Sequence, residues 1–202
     1  MQDEGYIKFQ LDWEDGPPPA VSEIASLQAI REILYGKQWI GFDPQLNVGF
    51  GNISSRCAAP SDFHFLITGT QTGQHAHLRP EHFTYVSSYD FQANALTCTG
   101  PIQASSESMT HAAAYEASSE IGAVIHIHEI NAWKRLMHQI PTTLESITYG
   151  TPEMAFAVKD LLSQLDTSQP QVIVMGGHEA GLLATGAHLD IALEHLVKVM
   201  EG

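Results

Sequence analysis

The stretch "GAVIHIHEIN", Gly122 to Asn131, constrains this chain more than any other. Ala123, Val124 and Ile125 belong in a core, yet His126 and His128 follow with one apolar residue between them. In a strand, residues i and i+2 share a face and stand about 6.6 Å apart. The segment therefore reads as a buried strand that ends by presenting two imidazoles side by side. Such rings can lean onto one ion at roughly 2.0–2.1 Å each, a geometry that a strand permits without requiring. Two hydrogen-bonded histidines in a half-buried strand are the plainer alternative.

The spacing alone decides little. With 11 histidines in 202 residues, random placement gives roughly 0.6 pairs of this kind. The chain has a second pair, His75 and His77 in "GQHAHLRPEH". That pair sits in a polar, Gly-flanked segment before Pro80, which reads as a solvated surface loop. His126 and His128 instead sit where apolar neighbours can dry and rigidify a site. A catalytic zinc site usually has three protein ligands and an open position. His178, in "VIVMGGHEAG", is the natural third, because it also follows an apolar strand. The two glycines before it are expected to let the backbone turn sharply. His188 and His195 fall on the last helix, and His111 lies near the start of an earlier one.

Around these residues, strand-like and helical segments interleave irregularly. Ile24, Leu27, Ile30, Ile33 and Leu34 form a helical stripe that ends near Gly36, with Ser22 as its expected N-cap. "NVGFGNISSR" reads as strand–turn–strand, "DFHFLITG" as a strand running into a polar loop, and "FTYVSSYD" with "NALTCTG" as a hairpin. A serine-capped helix is expected from Ser105 or Ser106 to about Ser119, and another from Glu129 to His138. Thr151-Pro152-Glu153 opens a further helix, with proline at a favourable first-turn position. "QVIVMGG" and "GLLAT" read as strands flanking His178, and "AHLDIALEHLVKVMEG" as a closing helix. No internal repeat is present. Such interleaving predicts a layered α/β fold with a mixed sheet. Pro17-Pro18-Pro19 divides an acidic arm, residues 1–21, from one domain over residues 22–202.

An apolar content of 44% with 16% charged residues describes a globular chain. The formal net charge of −14 argues against nucleic-acid and anionic-membrane partners, which are held by clustered Lys and Arg. A small anion is still compatible with that charge, since backbone N–H groups at a helix start can bind phosphate. Cys57 and Cys98 are too few for a disulfide framework and fit a reducing compartment. No signal-peptide pattern and no apolar run of membrane-spanning length occur, so a cytoplasmic location is expected.

Six motifs in order, "GFGNISSR", "LITGTQTG", "PIQASSE", "VIHIHE", "YGTPEMA" and "GGHEAGLLATGAHLDIALE", resemble the class II aldolase/adducin family. The resemblance runs from about Ser22 to Met200. It implies a three-layer α/β/α domain with a central mixed, largely antiparallel sheet, assembled as a homotetramer with sites between subunits. It also implies zinc or another divalent metal held by His126, His128 and His178. Glu107, after two serines, takes the acid/base position, and Asn52, Thr68, Gly69, Ser105 and Ser106 match the phosphate-binding positions. From its place alone Glu107 reads as a helix-start carboxylate stabilised by the macrodipole. The implied activity is a zinc-dependent lyase of aldolase type. It would make or break a C–C bond in a small phosphorylated ketose through a metal-stabilised enediolate. The alternatives are a dehydratase of the methylthioribulose-phosphate type and a non-enzymatic adducin-like assembly module.

Four departures from the family pattern stand out. Glu129 replaces the serine that usually follows the histidine pair, and is expected to cap the next helix. Glu179 replaces the glycine after the third histidine, and the loop "TGTQTG" is more polar than its usual counterpart. The chain also runs only briefly past the closing helix. For the proton-donating tyrosine that some members carry in a C-terminal tail, Tyr149 and Tyr115 are the candidate substitutes, with a plain core or surface role for each as the equal alternative.

Overall fold

The computed structural model describes residues 5–58 and 61–202. Residues 1–4 of the expected arm lie outside the described residues. Among the described residues, one sheet of eight strands carries the fold, in the order β1-β7-β6-β5-β4-β8-β10-β9. These are β1 (Gln10–Glu14), β4 (Asn52–Arg56), β5 (Phe65–Thr68), β6 (Phe83–Asp90), β7 (Ala95–Thr99), β8 (Ala123–His128), β9 (Gln171–Val174) and β10 (Gly181–Gly186). Neighbouring strands pair antiparallel throughout, except β1 with β7, which is parallel. A separate pair, β2 (Gly41–Asp43) and β3 (Val48–Phe50), leads into β4. The fold is therefore α/β with a mixed, largely antiparallel central sheet, as the motifs imply.

Side-chain alternation along β8 builds the layers. Ala123, Ile125 and Ile127 point into one core, with Ile24 and Leu27 of α1 (Val21–Gly36), Leu136 of α3 (Ile130–Leu136) and Leu196 of α5 (Leu189–Glu201). Val124 points into the other, with Met109 and Ala112 of α2 (Ser108–Ala117) and Met154 and Val158 of α4 (Pro152–Ser163). Period-two geometry puts His126 and His128 on the face of Val124, beneath α2 and α4. Both faces of the strand are covered, which explains its unbroken apolar run. Burying each of Ile125 and Ile127 contributes about 1.5–3 kcal/mol.

Several helix starts differ in detail from expectation. Ala20, not Ser22, precedes α1, and the Glu23 carboxylate accepts a hydrogen bond from its N–H at 2.8 Å. The helix expected from Ser105 or Ser106 begins only at Ser108. The Ser105 carbonyl accepts from both the N–H and the hydroxyl of Ser108, at 3.0 and 2.7 Å, which closes a turn first. Glu129 does cap α3, its carboxylate accepting from the N–H groups of Asn131 and Ala132. Thr151 caps α4, its hydroxyl accepting from Met154 N–H at 3.3 Å, with Pro152 at the first position.

The segment before the proline run joins the sheet. Gln10 to Glu14 pair in register with Ala95 to Thr99. Phe9 is buried in the core with Phe91 and Leu96, and the Trp13 indole donates to the Gly100 carbonyl at 2.8 Å. Among the described residues no helix is long and apolar enough to cross a membrane.

Candidate metal centre

Asn52 of β4, His126 of β8 and Leu183 of β10 stand side by side across the sheet. His128 lies at the end of β8, opposite Gly181. His178 sits in the turn between β9 and β10, where Gly181 N–H donates to its carbonyl at 2.9 Å. Because β8 and β10 pair antiparallel, the turn delivers the third ring to the end of β8. Gly177 serves close approach here rather than an unusual backbone angle. A Cβ on it would lie 1.7 Å from the Ile147 carbonyl oxygen, so the turn can nest against that segment only without a side chain.

One nitrogen from each of His126, His128 and His178 falls within 4.8 Å of the others. Their ring centroids are 4.7–5.0 Å apart. The Nε2 atoms of His126 and His128 are 3.1 Å apart. Two ligands at 2.0–2.1 Å from a tetrahedral zinc would be separated by about 3.3 Å, so this spacing fits the ion. His126 Nδ1 is 3.1 Å from the Leu182 carbonyl. As donor there, Nδ1 carries the proton and leaves Nε2 with its lone pair toward the other rings. His126 is held well below the usual histidine range by its complete burial, and further by His128, His178 and His111. A ring kept neutral in this way is ready to ligate. The donor set fits zinc or a similar divalent ion.

Glu107 adds a carboxylate to the same cavity. It is buried, and its Oε2 accepts a hydrogen bond from the Thr110 hydroxyl at 2.8 Å. Asn52, Ser106, Glu107 and the three histidines all line one small cavity. Ser105, Thr68 and Gly69 do not line it, and stand just behind. Ser105 Oγ accepts from Glu107 N–H at 3.4 Å. The Thr68 hydroxyl accepts from Ile53 N–H at 3.3 Å, and Gly69 bridges to Ala104 beside Ser105. Asn52 Oδ1 is buried with no hydrogen-bond partner among the described residues.

Of the two tyrosines expected as substitutes, Tyr149 lines the cavity and stacks on His178, with centroids 4.4 Å apart and planes at 20°. Tyr115 is elsewhere, its hydroxyl 2.7 Å from Ser54 Oγ in the core. His111 completes that buried cluster, its Nδ1 2.6 Å from the same oxygen. Phe50, which sequence reasoning missed, stacks on His128 at 5.5 Å. Its place just before the Gly51-Asn52 turn was the signal that could have found it. His75 and His77 do not line the cavity; they lie in the 72–79 loop, where His77 Nδ1 is 2.9 Å from the Glu32 carboxylate.

A three-histidine cluster that could hold a divalent ion thus lies beside a buried carboxylate at the end of strands of a layered α/β sheet. The chain belongs to the class II aldolase and adducin N-terminal domain family, whose model matches residues 32–201. No curated protein sequence matches it. L-Fuculose-1-phosphate aldolase from Thermus thermophilus shares the fold at a TM-score of 0.64 and 20% identity, over 90% of this chain and 91% of that one. YgbL from Klebsiella pneumoniae aligns at 0.65 with 17% identity, over 91% and 87% of the two chains. L-Fuculose 1-phosphate aldolase from Glaciozyma antarctica aligns at 0.58 with 18% identity, over 92% and 74%.

Proposed function

We propose that this protein is a zinc-dependent lyase of the aldolase type, acting on a small phosphorylated ketose. The observation that carries the reading is the convergence of three imidazole nitrogens within 4.8 Å, in the cavity that also holds Glu107. His126, His128 and His178 would hold the ion, which when bound supplies Lewis-acid polarisation of a substrate carbonyl. Three neutral rings leave the full divalent charge for that purpose.

Glu107 moves the proton at the carbon next to that carbonyl. Its Oε2 is steadied by Thr110, which fixes the carboxylate's direction toward the cavity. Tyr149, stacked on His178, relays the proton at the oxygen of the departing aldehyde, which loses its hydroxyl proton on cleavage and regains it in the condensation direction. Asn52 accepts a hydrogen bond from a substrate hydroxyl through the amide oxygen that lacks a partner among the described residues. Ser106, which lines the cavity beside Glu107, takes the phosphate, with Ser105, Thr68 and Gly69 supporting that wall from behind. Hydroxyl and backbone donors at the start of α2 suit such an anion in a chain of net charge −14.

Metal analysis and product analysis test this reading together. Near one zinc per chain, lost in His126→Ala and His178→Ala, with cleavage of a ketose phosphate, supports it. A metal-free protein of unchanged stability in those variants overturns it in favour of an assembly module. Water loss without C–C cleavage would make the same site a dehydratase. Glu107→Gln is expected to retain the metal and slow proton exchange at the substrate carbon by about 10²–10⁴-fold. Full exchange in that variant removes Glu107 from the mechanism.

A further inference from the structure

The cavity over the three imidazoles has a volume of about 20 Å³. That is room for roughly one water. Sites for small molecules usually span about 300–1,000 Å³. With the walls where they stand, the space over the three imidazoles is too small to seat a sugar phosphate. Most of the walls are framework: β3 and β4 with the turn between them, β8, and the turns carrying Ser106, Tyr149 and His178. One is not. Gly5 lines the cavity from the N-terminal segment, ahead of the first strand of the sheet.

The contacts of this segment are specific. Gly5 has φ +79°, and a Cβ there would lie 2.1 Å from Val48 Cγ2, so only glycine lets the backbone press so close to β3. Its carbonyl accepts from the Gln71 side-chain amide at 3.3 Å. Three residues on, the Lys8 ammonium sits 3.8 Å from the centre of the Tyr149 ring and 3.5 Å from the Tyr149 carbonyl. Tyr149 in turn stacks on His178. Behind Lys8 the chain is fixed: Phe9 is buried, and the Asn94 side chain donates to the Lys8 carbonyl at 2.9 Å. The segment is thus hinged on the sheet at Phe9, leans on the core through the partly buried Ile7, and is fastened by polar contacts at Gly5 and Lys8.

We propose that residues 5–9 form a strap that closes the metal site, latched by Lys8 on Tyr149, and that ligands larger than water reach the three imidazoles only when it lifts. Exclusion of water from the reacting centre follows from closure, and substrate size is limited by how far the strap swings. Lys8 is a positioning residue, since it acts on the site through Tyr149.

Histidine carbethoxylation by diethyl pyrocarbonate, followed residue by residue by mass spectrometry on metal-free protein, tests the strap. His77, whose side chain is 77% exposed, is the reference, and fully buried His111 reports unfolding. A chain beginning at residue 7 is expected to show His128 and His178 reacting at least tenfold faster than in the full chain, with His77 and His111 unchanged. Lys8→Ala is expected to raise both rates by about fivefold, the population factor that one cation–π contact sets, and Lys8→Arg to restore them. Equal rates at His128 and His178 in all four proteins would overturn the strap. If the shortened chain unfolds, so that His111 also reacts, the Lys8→Ala and Lys8→Arg pair decides alone. The inference rests on the proposed site only for its consequence. Faster labelling in a protein that takes no zinc would keep the strap and discard the lyase, and unchanged labelling in a zinc-loaded lyase would do the reverse.

Discussion

Replacing His111 with glutamine would remove a titratable ring from the core while keeping a side chain able to hydrogen-bond Ser54. His111 is fully buried, with Nδ1 2.6 Å from Ser54 Oγ, and that oxygen is 2.7 Å from the Tyr115 hydroxyl. Burial pushes its pKa down from 6.5 to about 3. In the unfolded chain the ring takes a proton near its ordinary pKa, whereas in the folded protein it stays neutral. The unfolded state therefore binds more protons between these limits. Stability is complete above about pH 6.5 and is lost as the pH falls toward about 3. Each unit costs about 1.36 kcal/mol, so this ring alone removes roughly 2 kcal/mol between about pH 6.5 and about pH 5. Over the whole span the loss approaches about 5 kcal/mol, a large part of an ordinary domain's stability. Urea unfolding of metal-free wild type and His111→Gln, from about pH 7 to about pH 5, measures the difference. The depressed His126 contributes to both proteins, and because His111 lowers it only after burial, His128 and His178, the slope difference reports His111 with a smaller part from His126. The variant is expected to be less stable at neutral pH, from imperfect packing, but flatter with pH by about 1.36 kcal/mol per unit below the unfolded pKa. Parallel profiles would refute the reasoning, because they would mean the ring carries its proton equally in both states.

Glu129→Ala removes the acceptor for Asn131 and Ala132 N–H at the start of α3 and should cost about 1 kcal/mol in chemical denaturation. No change would mean the carboxylate is dispensable as a cap. Gly177→Ala places a methyl 1.7 Å from the Ile147 carbonyl, so the turn carrying His178 must shift. Zinc affinity by calorimetric titration is expected to fall about 10–100-fold. An unchanged affinity would show that the turn yields without moving the ring.

The sequence was most readable where a local rule and the tertiary need agree. The His126/His128 period fits a central strand covered on both faces. Thr151-Pro152-Glu153 combines a cap, a first-turn proline and a favourable charge, and α4 starts there. Reading failed where the deciding partner is distant. Ser105 and Ser106 look like caps, but the Ser105 carbonyl closes a turn with Ser108, leaving Glu107 to precede the helix. Gln10–Glu14 is short, acidic and followed by prolines, and nothing local announces that it will lie parallel to Ala95–Thr99, more than eighty residues away (95 − 10 = 85). The three-residue strand at Gly41 is too brief for alternation to register. Among the candidate site residues, the three clustered imidazoles were legible from strand ends, whereas Phe50 and Gly5 reach the cavity through chain packing that no spacing encodes.

The position of β1 has a consequence for how this protein behaves in concentrated solution. It lies at one margin of the sheet, while at the other margin Thr142 bridges to Val174 of β9. A margin strand offers its outer backbone groups to any passing chain, and charged side chains are a common guard against such templating. Asp12 and Glu14 are both exposed on β1, on either side of Trp13. Acid that neutralises them, or their replacement by valine, would leave an uncharged, aromatic ribbon open to growth by intermolecular pairing.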